Sequence, residues 1–441
     1  MADFPTIFAL ASAAGRAGIA VFRVSGAGAT EVIAKLCVPS TLPAPRVATL
    51  SKIHHPLTRE PIDQALILYF AAPHSFTGED VVEIHTHGGR AIIAAMTCAL
   101  SALPDLRLAE PGEFTRRAFE QGKLDLTEAE AIADLVDAET EAQRRQALRQ
   151  FEGALGKLYN DWHRRLARYL AYSEAAIDFA DEDLPADVAE RHAADVRKLA
   201  DDITAHLNDG HRGERLRDGF SIAILGAPNA GKSSLLNALA RRDAAIVSPL
   251  AGTTRDVIEV HLDLGGYPVT LADTAGLRDT ADAIENEGVR RALHRAEQAD
   301  LKLLVYDGAI WPQRDAATAA LADNNSIEII SKSDVLNSPP SPAPNLISTK
   351  NNTGIAALLQ TLTNEIAKRF GDTGVPALTR ARHRTALQET LEHLQRGLKA
   401  TAPELRTEDM RLAMRSLGRI TGRVDVEDLL DIIFRDFCIG K

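Results

Sequence analysis

Apolar positions along the chain change their period three times. Up to about residue 120 short runs alternate: Ile19-Ala-Val-Phe-Arg-Val24, Ala65-Leu-Ile-Leu-Tyr-Phe70 and Val81-Val-Glu-Ile-His85 read as strands. One helix is expected near Ala91–Leu100, and proline-rich turns separate these runs, which makes the segment an α+β module. From Asp125 the period lengthens. Leu155, Leu158, Trp162, Leu166, Tyr169, Ser173 and Ile177 recur at three- and four-residue spacing, as do Val188, His192, Val196, Leu199, Ile203 and Leu207. Such stripes predict long helices with one buried face. Gly210 and Gly213 interrupt the pattern.

Between about 215 and 370 strand and helix patterns alternate, as in nucleotide-binding α/β domains. Gly265-Gly266, between Val257–Leu264 and Tyr267–Ala272, predicts a two-residue hairpin. Gly371-Asp-Thr-Gly374 closes the domain, and Ser338–Pro344 is a proline-rich loop. The helical period then returns with His383, Leu387, Leu391, Leu394 and Leu398, continues through Leu405, Leu412 and Leu417, and ends in Leu429-Leu-Asp-Ile-Ile-Phe434. A tail of about 65 residues buries little core alone. The economical arrangement packs it on the helices before Gly210. The expected fold is an α/β domain (215–374) inserted into an α-helical domain (121–214 and 375–441), preceded by an α+β N-terminal domain (1–120).

Composition changes this picture little. The 441 residues, 45% hydrophobic and 25% charged, are those of an ordinary globular protein of about three domains. No apolar run approaches the roughly 18–20 residues of a membrane span, and no basic-then-apolar leader opens the chain. Cys37, Cys98 and Cys438 are too sparse for a disulfide scaffold, so a cytoplasmic location is expected. Cys37 and Cys98, in apolar settings, read as structural. The net charge of −11 argues against nucleic acid held by global charge. An RNA substrate would need a local basic patch or a partner protein.

The chemistry is concentrated in a few motifs. Gly226-Ala-Pro-Asn-Ala-Gly-Lys232-Ser233 follows the apolar run Ser221–Leu225 and precedes the helical Ser234–Leu239. A glycine-bounded loop between strand and helix is a phosphate cradle. Loop amides and the helix dipole face the anion, Lys232 adds charge at the outer phosphates, and Ser233 can reach magnesium. Asn229, Ala230, Gly231 and Ser234 complete that contact set. Asp273-Thr274-Ala275-Gly276 can meet the metal through water and the γ-phosphate through an amide, and Thr253-Thr254 lies where a switch loop closes.

Ser331-Lys332-Ser-Asp334 carries base choice, because the carboxylate can accept two hydrogen bonds from guanine and none of that pattern from adenine. Guanine sites of this kind usually begin with Asn. Ser331 is shorter, so base affinity is expected to fall without reversing specificity. Ser348-Thr349-Lys350 resembles the closing base-contact motif Ser-Ala-Lys, slightly altered. Leu277 stands where many small GTPases carry a water-orienting glutamine, so another group must place the nucleophile. His85-Thr-His87 share a strand but lack further ligands for zinc.

In order and spacing, Gly15-Arg-Ala-Gly18, Phe22-Arg-Val-Ser-Gly26, Ser75-Phe-Thr-Gly-Glu-Asp80, His87-Gly-Gly89, Pro111-Gly-Glu-Phe114, Lys123-Leu-Asp-Leu126, Ala175-Ala-Ile-Asp-Phe179, Gly252-Thr-Thr-Arg-Asp256 and Phe437-Cys-Ile-Gly-Lys441 resemble the tRNA-modification GTPase family MnmE, also called TrmE, over essentially the whole chain. The resemblance implies a homodimer that binds folate through its N-terminal domain and is activated when GTP draws two G domains together. Ser248, Pro249, Leu250, Ala251, Gly252 and Thr253 would line the nucleotide. Asn229, Ser248, Leu250 and Thr253 would hold potassium in place of an arginine finger, and Ser233 and Thr254 would hold magnesium. Glu285 would orient the attacking water.

Arg23, Glu83, Lys123 and Lys441 would contact a tetrahydrofolate, and Cys438, which resembles the family's functional C-terminal cysteine, would face that site. The implied partner is the flavoprotein MnmG. The implied reaction adds aminomethyl or carboxymethylaminomethyl groups to carbon 5 of the tRNA wobble uridine. A GTP-dependent assembly switch, as in ribosome maturation, is the alternative left open by the nucleotide motifs alone.

Overall fold

The computed structural model describes residues 5–13, 15–178, 186–241, 259–273, 297–336, 345–371, 376–424, 426–435 and 437–441. They form two compact units, one of residues 1–133, 150–196 and 392–441, the other of residues 134–149 and 197–391.

The first unit holds a seven-stranded sheet of β1 (Thr6–Leu10), β2 (Ala17–Ser25), β3 (Cys37–Val38), β4 (Thr49–His54), β5 (Pro61–Phe70), β6 (Val81–Gly88) and β7 (Leu106–Leu108). The order is β3-β4-β5-β6-β2-β1-β7, antiparallel except for β7 against β1. Strict alternation decides which side chains go where. Phe22, Val24, Val82 and Ile84 pack inward against Val32, Ile33 and Leu36 of helix Ala29–Leu36 and Met96 and Leu100 of helix Arg90–Ser101. Each such side chain stabilises the fold by roughly 1.5–3 kcal/mol. Arg23 and Glu83, the residues between, face outward and are direct register partners across β2 and β6.

Residues 392–441 of the C-terminal segment belong to this unit, whereas the described residues 376–391 fall in the second. Val426, Leu430, Phe434 and Phe437 bury against Leu126 and Ala129, and Arg411 of helix Pro403–Thr421 pairs with Glu174 of helix Ala154–Asp178 at 2.9 Å. Details of the stripes differ. Leu405 is exposed, and Thr407, Met410 and Ala413 form the buried face instead. In helix Ala186–Leu207 the last turn buries His206 rather than Leu207.

The second unit holds β8 (Phe220–Leu225), β9 (Glu259–Leu264), β10 (Tyr267–Asp273), β11 (Leu301–Asp307), β12 (Ser326–Ser331) and β13 (Asn345–Leu346). The order is β13-β12-β11-β8-β10-β9, parallel apart from the β9–β10 hairpin. Central β8 is buried almost throughout, which explains its unbroken apolar run. Gly265 (φ 66) and Gly266 (φ 89) make the predicted turn, which needs positive φ at both positions. Gly213, expected only to interrupt the helical pattern, is itself helical. It lies inside helix Arg212–Asp218, where a Cβ would stand 2.2 Å from the Leu378 carbonyl.

Candidate functional site

In the second unit β8 stands between β11 and β10. Its carboxyl end opens where strand order reverses, the place where open α/β sheets take ligands. There Gly226–Gly231 turns the chain into helix Lys232–Ala240. A side chain at Gly226 is excluded, since its Cβ would stand 2.4 Å from the Val305 carbonyl. Asn229 (φ 61) and Gly231 (φ 95) curl the loop through left-handed backbone, a conformation glycine and asparagine adopt at least cost. The Lys232 ammonium donates to the carbonyls of Gly226 and Ala227, both at 2.8 Å. A buried cation, a curled loop and a helix start occur together in one short segment, a combination that fits a phosphate group. Ser233 and Ser234 are exposed in the first helical turn, where a hydroxyl can reach a phosphate-bound magnesium.

Asp273 is registered beside Ile224 of β8, so the chain leaves β10 one strand away from the phosphate loop. Thr274, Ala275, Gly276, Ser248, Pro249, Leu250, Ala251, Gly252, Thr253, Thr254 and Glu285 lie outside the described residues.

The segments around Asp334 and Ser348 lie side by side. The Ser333 N–H donates to the Ile347 carbonyl at 3.0 Å, and buried Ser348 donates its hydroxyl to Asp334 Oδ1 at 2.6 Å. That hydroxyl, the residue's own N–H and the nearby Lys350 charge hold the Asp334 carboxyl below the usual carboxylate range. It is therefore ionised and exposed, as a guanine acceptor must be. Lys332, at φ 50, pairs with Asp307 at 2.6 Å. Thr349 and Lys350, which follow Ser348 in sequence, are exposed. Ser331 differs from the expectation of a merely shortened side chain. It is buried, and its hydroxyl reaches the carbonyls of Ala230 in the phosphate loop and Tyr306 in β11.

The first unit assembles a second cluster. Glu83 Oε1 accepts from Arg23 Nε and Nη2 at 3.0 and 2.9 Å, and His85 Nε2 stands 3.3 Å from the other oxygen. The guanidinium of Arg23 lies between the rings of Phe76 and Phe114, 5.8 and 5.7 Å from their centroids, a cation–π arrangement. Its Nη1 donates to the Gly440 carbonyl at 3.3 Å, which seats the C-terminus on the sheet. Ile439 bridges Pro111, and Gly440 (φ 96) lies so close to β1 that a Cβ would stand 2.6 Å from the Leu10 carbonyl. Lys441 follows, and Cys438 is exposed two residues earlier. Lys123 donates to the Pro73 carbonyl, at the base of the loop that carries Phe76. A half-buried carboxylate, guanidinium and aromatic faces are groups that fit an amino-substituted heterocycle bearing carboxylates.

Sequence reasoning missed what supports this cluster. Arg117 is buried between Glu79 and Glu113, at 3.1 and 2.8 Å, and also donates to the Pro5 carbonyl at 2.8 Å. Arg107 forks onto Glu113 at 2.8 and 2.6 Å, and Ser25 donates to Glu79 at 2.7 Å. Burial alone would raise the Glu113 carboxyl, but Arg107, the Glu110 N–H and Arg117 outweigh it and hold it below its ordinary value. The available signal was the four-residue spacing of Glu113 and Arg117. Cys37 is buried, which pushes its thiol up to about 11, but Cys98, expected in an apolar setting, is exposed beside His55. Among the described residues no three His, Cys, Asp or Glu gather as metal ligands, and no helix is long and apolar enough to cross a membrane.

A phosphate loop at the switch point, with an acidic base-side loop braced against it, defines a P-loop fold of the guanine-nucleotide class. Family models agree: that for the TrmE N-terminus matches residues 6–123, and that for the MnmE helical domain matches residues 126–438. The tRNA modification GTPase MnmE of Paramagnetospirillum magneticum is 55% identical over 441 residues, covering 99% of each chain. That of Parvibaculum lavamentivorans is 56% identical over 440 residues, 99% of this chain and 100% of its own. The mitochondrial 5-taurinomethyluridine-[tRNA] synthase subunit GTPB3 of Danio rerio is 48% identical, over 99% of this chain and 93% of its own. The chain belongs to the MnmE family.

Proposed function

We propose that this chain hydrolyses GTP and, with a flavoprotein partner of the MnmG kind, modifies carbon 5 of the tRNA wobble uridine with aminomethyl or carboxymethylaminomethyl groups. Identity above 50% to curated tRNA modification GTPases along both full lengths carries this reading. The two residue clusters support it with chemistry. Loop amides and Lys232 hold the triphosphate, and Asp334 selects guanine over adenine. Ser233 and Thr254 would hold magnesium, which when bound offsets phosphate charge. Asn229, Ser248, Leu250 and Thr253 would hold potassium, supplying the positive charge an arginine finger gives elsewhere. Glu285 would orient water. Arg23, Glu83, Lys123 and Lys441 would hold a tetrahydrofolate carrying the one-carbon unit, with Cys438 facing it.

The protein works as a cytoplasmic homodimer, and the partner supplies most of the attraction for tRNA, because the net charge of −11 repels phosphates. The four helical and sheet segments act as an N-terminal domain (1–120), a helical domain (121–214 and 375–441) and an inserted G domain (215–374). The test is nucleoside mass spectrometry on tRNA from cells lacking the protein, with GTP turnover of the pure chain in potassium and sodium. Loss of the modified uridine and potassium-stimulated turnover are expected. Unchanged tRNA would sink the tRNA role, and equal turnover in both salts would remove the potassium site.

A further inference from the structure

In the chain the β9–β10 hairpin stands between residues 242–258, which include Thr253 and Thr254, and Thr274–Gly276, the segments that the proposed function assigns to sensing the nucleotide. Its six register pairs, Tyr267↔Leu264 through Ala272↔Glu259, make it a stiff ribbon. Its tip is not free in solvent. At Gly265 a Cβ would stand 2.7 Å from Thr363 Cγ2 of helix Ile355–Phe370, and at Gly266 it would stand 3.8 Å from Glu141 Cβ. The Gly266 carbonyl accepts the Ala142 N–H at 3.0 Å. Ala142 is the second residue of helix Glu141–Phe151, so this N–H has no acceptor within its own helix and the hairpin serves as an external cap.

The same helix grips the approach to the phosphate loop. Gln143 Nε2 donates to the Arg217 carbonyl and Gln146 Nε2 to the Gly213 carbonyl, both at 3.0 Å. These carbonyls belong to helix Arg212–Asp218, which runs through Gly219 directly into β8. Gln143 is also committed at its oxygen, which accepts from the N–H groups of Glu139 and Thr140 at 3.0 Å. Asp134 adds a clamp, taking Arg217 at 3.0 Å and Arg380 at 2.7 Å. One short helix therefore touches both the ribbon between the sensing segments and the lead-in to the phosphate strand.

We propose that this hairpin transmits nucleotide state to helix Glu141–Phe151, with the Ala142 N–H and the Gln143 and Gln146 amides as the positioning contacts. The proposal rests on the reading that this unit binds GTP. A ribbon stiffened by its ladder moves as a body, so displacement at its open end shifts the tip. The tip carbonyl then makes or breaks the cap. The two glutamine tethers keep the helix from following passively.

Hydrogen exchange of the full chain, read by mass spectrometry with GDP and with a non-hydrolysable GTP analogue, tests this. Peptides spanning 134–151 are expected to differ in exchange rate between the two nucleotides by about five-fold or more, the scale of ordinary coupling. Ala142→Pro deletes a donor that the first helical turn does not use, and it also restricts the backbone of Glu141. It should abolish that difference while leaving binding of a fluorescent GTP analogue unchanged, and Ala142→Gly should retain it. If Ala142→Pro folds poorly, the double variant Gln143→Ala, Gln146→Ala should shrink the difference by about half or more. A nucleotide-independent 134–151 segment in a chain that binds the analogue overturns the relay alone. Failure to bind the analogue overturns the GTP reading with it.

Discussion

The Ser331 hydroxyl, at the end of the base-side strand β12, reaches the Ala230 carbonyl inside the phosphate loop. Gly231 favours this approach through its left-handed backbone (φ 95), since a Cβ there would make only ordinary contact with Ser331, at 3.4 Å. The residue that departs from the usual guanine motif thus ties the base loop to the phosphate loop. Ser331→Ala removes a donor from two buried carbonyls, a loss of about 1 kcal/mol or more. Roughly five- to ten-fold weaker GTP binding is expected in a fluorescent-nucleotide titration, with a lower melting temperature. Unchanged affinity would mean that the contact is incidental.

Asp334 offers an ionised, exposed carboxylate oriented by Ser348. Asp334→Asn replaces one acceptor with a donor. GTP affinity should fall by about two orders of magnitude, while xanthosine triphosphate, whose base presents an oxygen in place of the amine, should become the better ligand. Competition binding of the two nucleotides decides the matter.

Gly440 requires left-handed backbone and has no room for a side chain above Leu10. Gly440→Ala should therefore unseat the C-terminus and break its contact with Arg23. A loss of about tenfold or more in tetrahydrofolate affinity by calorimetry is expected, with GTP turnover within about two-fold of the parent. Equal folate affinity would detach the tail from that site.

Cys438 is exposed next to that seated tail. Cys438→Ser should leave GTP hydrolysis intact and abolish uridine modification by the complete complex. Full modification would reduce the thiol to a surface residue.

His206 is buried near Asp209, Arg384 and His383. Burial lowers its pKa from 6.5 to about 4, with Asp209 opposing and Arg384 and His383 assisting. A depressed pKa means that the folded state prefers the neutral ring. The stability it contributes is complete above pH 6.5 and is lost as pH falls toward 4, by about 3 kcal/mol in all. Urea unfolding at several values in that window should show the decline, and His206→Gln should flatten it.

Local chemistry made much of this protein readable from its sequence. Alternating runs marked the strands that carry Phe22, Arg23, Glu83 and Ile84, and an unbroken apolar run marked the buried strand β8. Glycines at required turns announced the hairpin and the phosphate loop. Such features depend on neighbours a few residues apart, so the order of residues suffices to specify them. Contacts between distant segments are another matter. Arg117 meeting Glu79, Ser331 meeting Ala230, Gly440 lying on Leu10 and Ala142 capping against Gly266 join residues from 38 to 430 positions apart or involve backbone groups that every residue carries. Nothing in residue type distinguishes those partners. Only the closing of the sheets and the packing of helices around them bring one donor to one acceptor and exclude the rest.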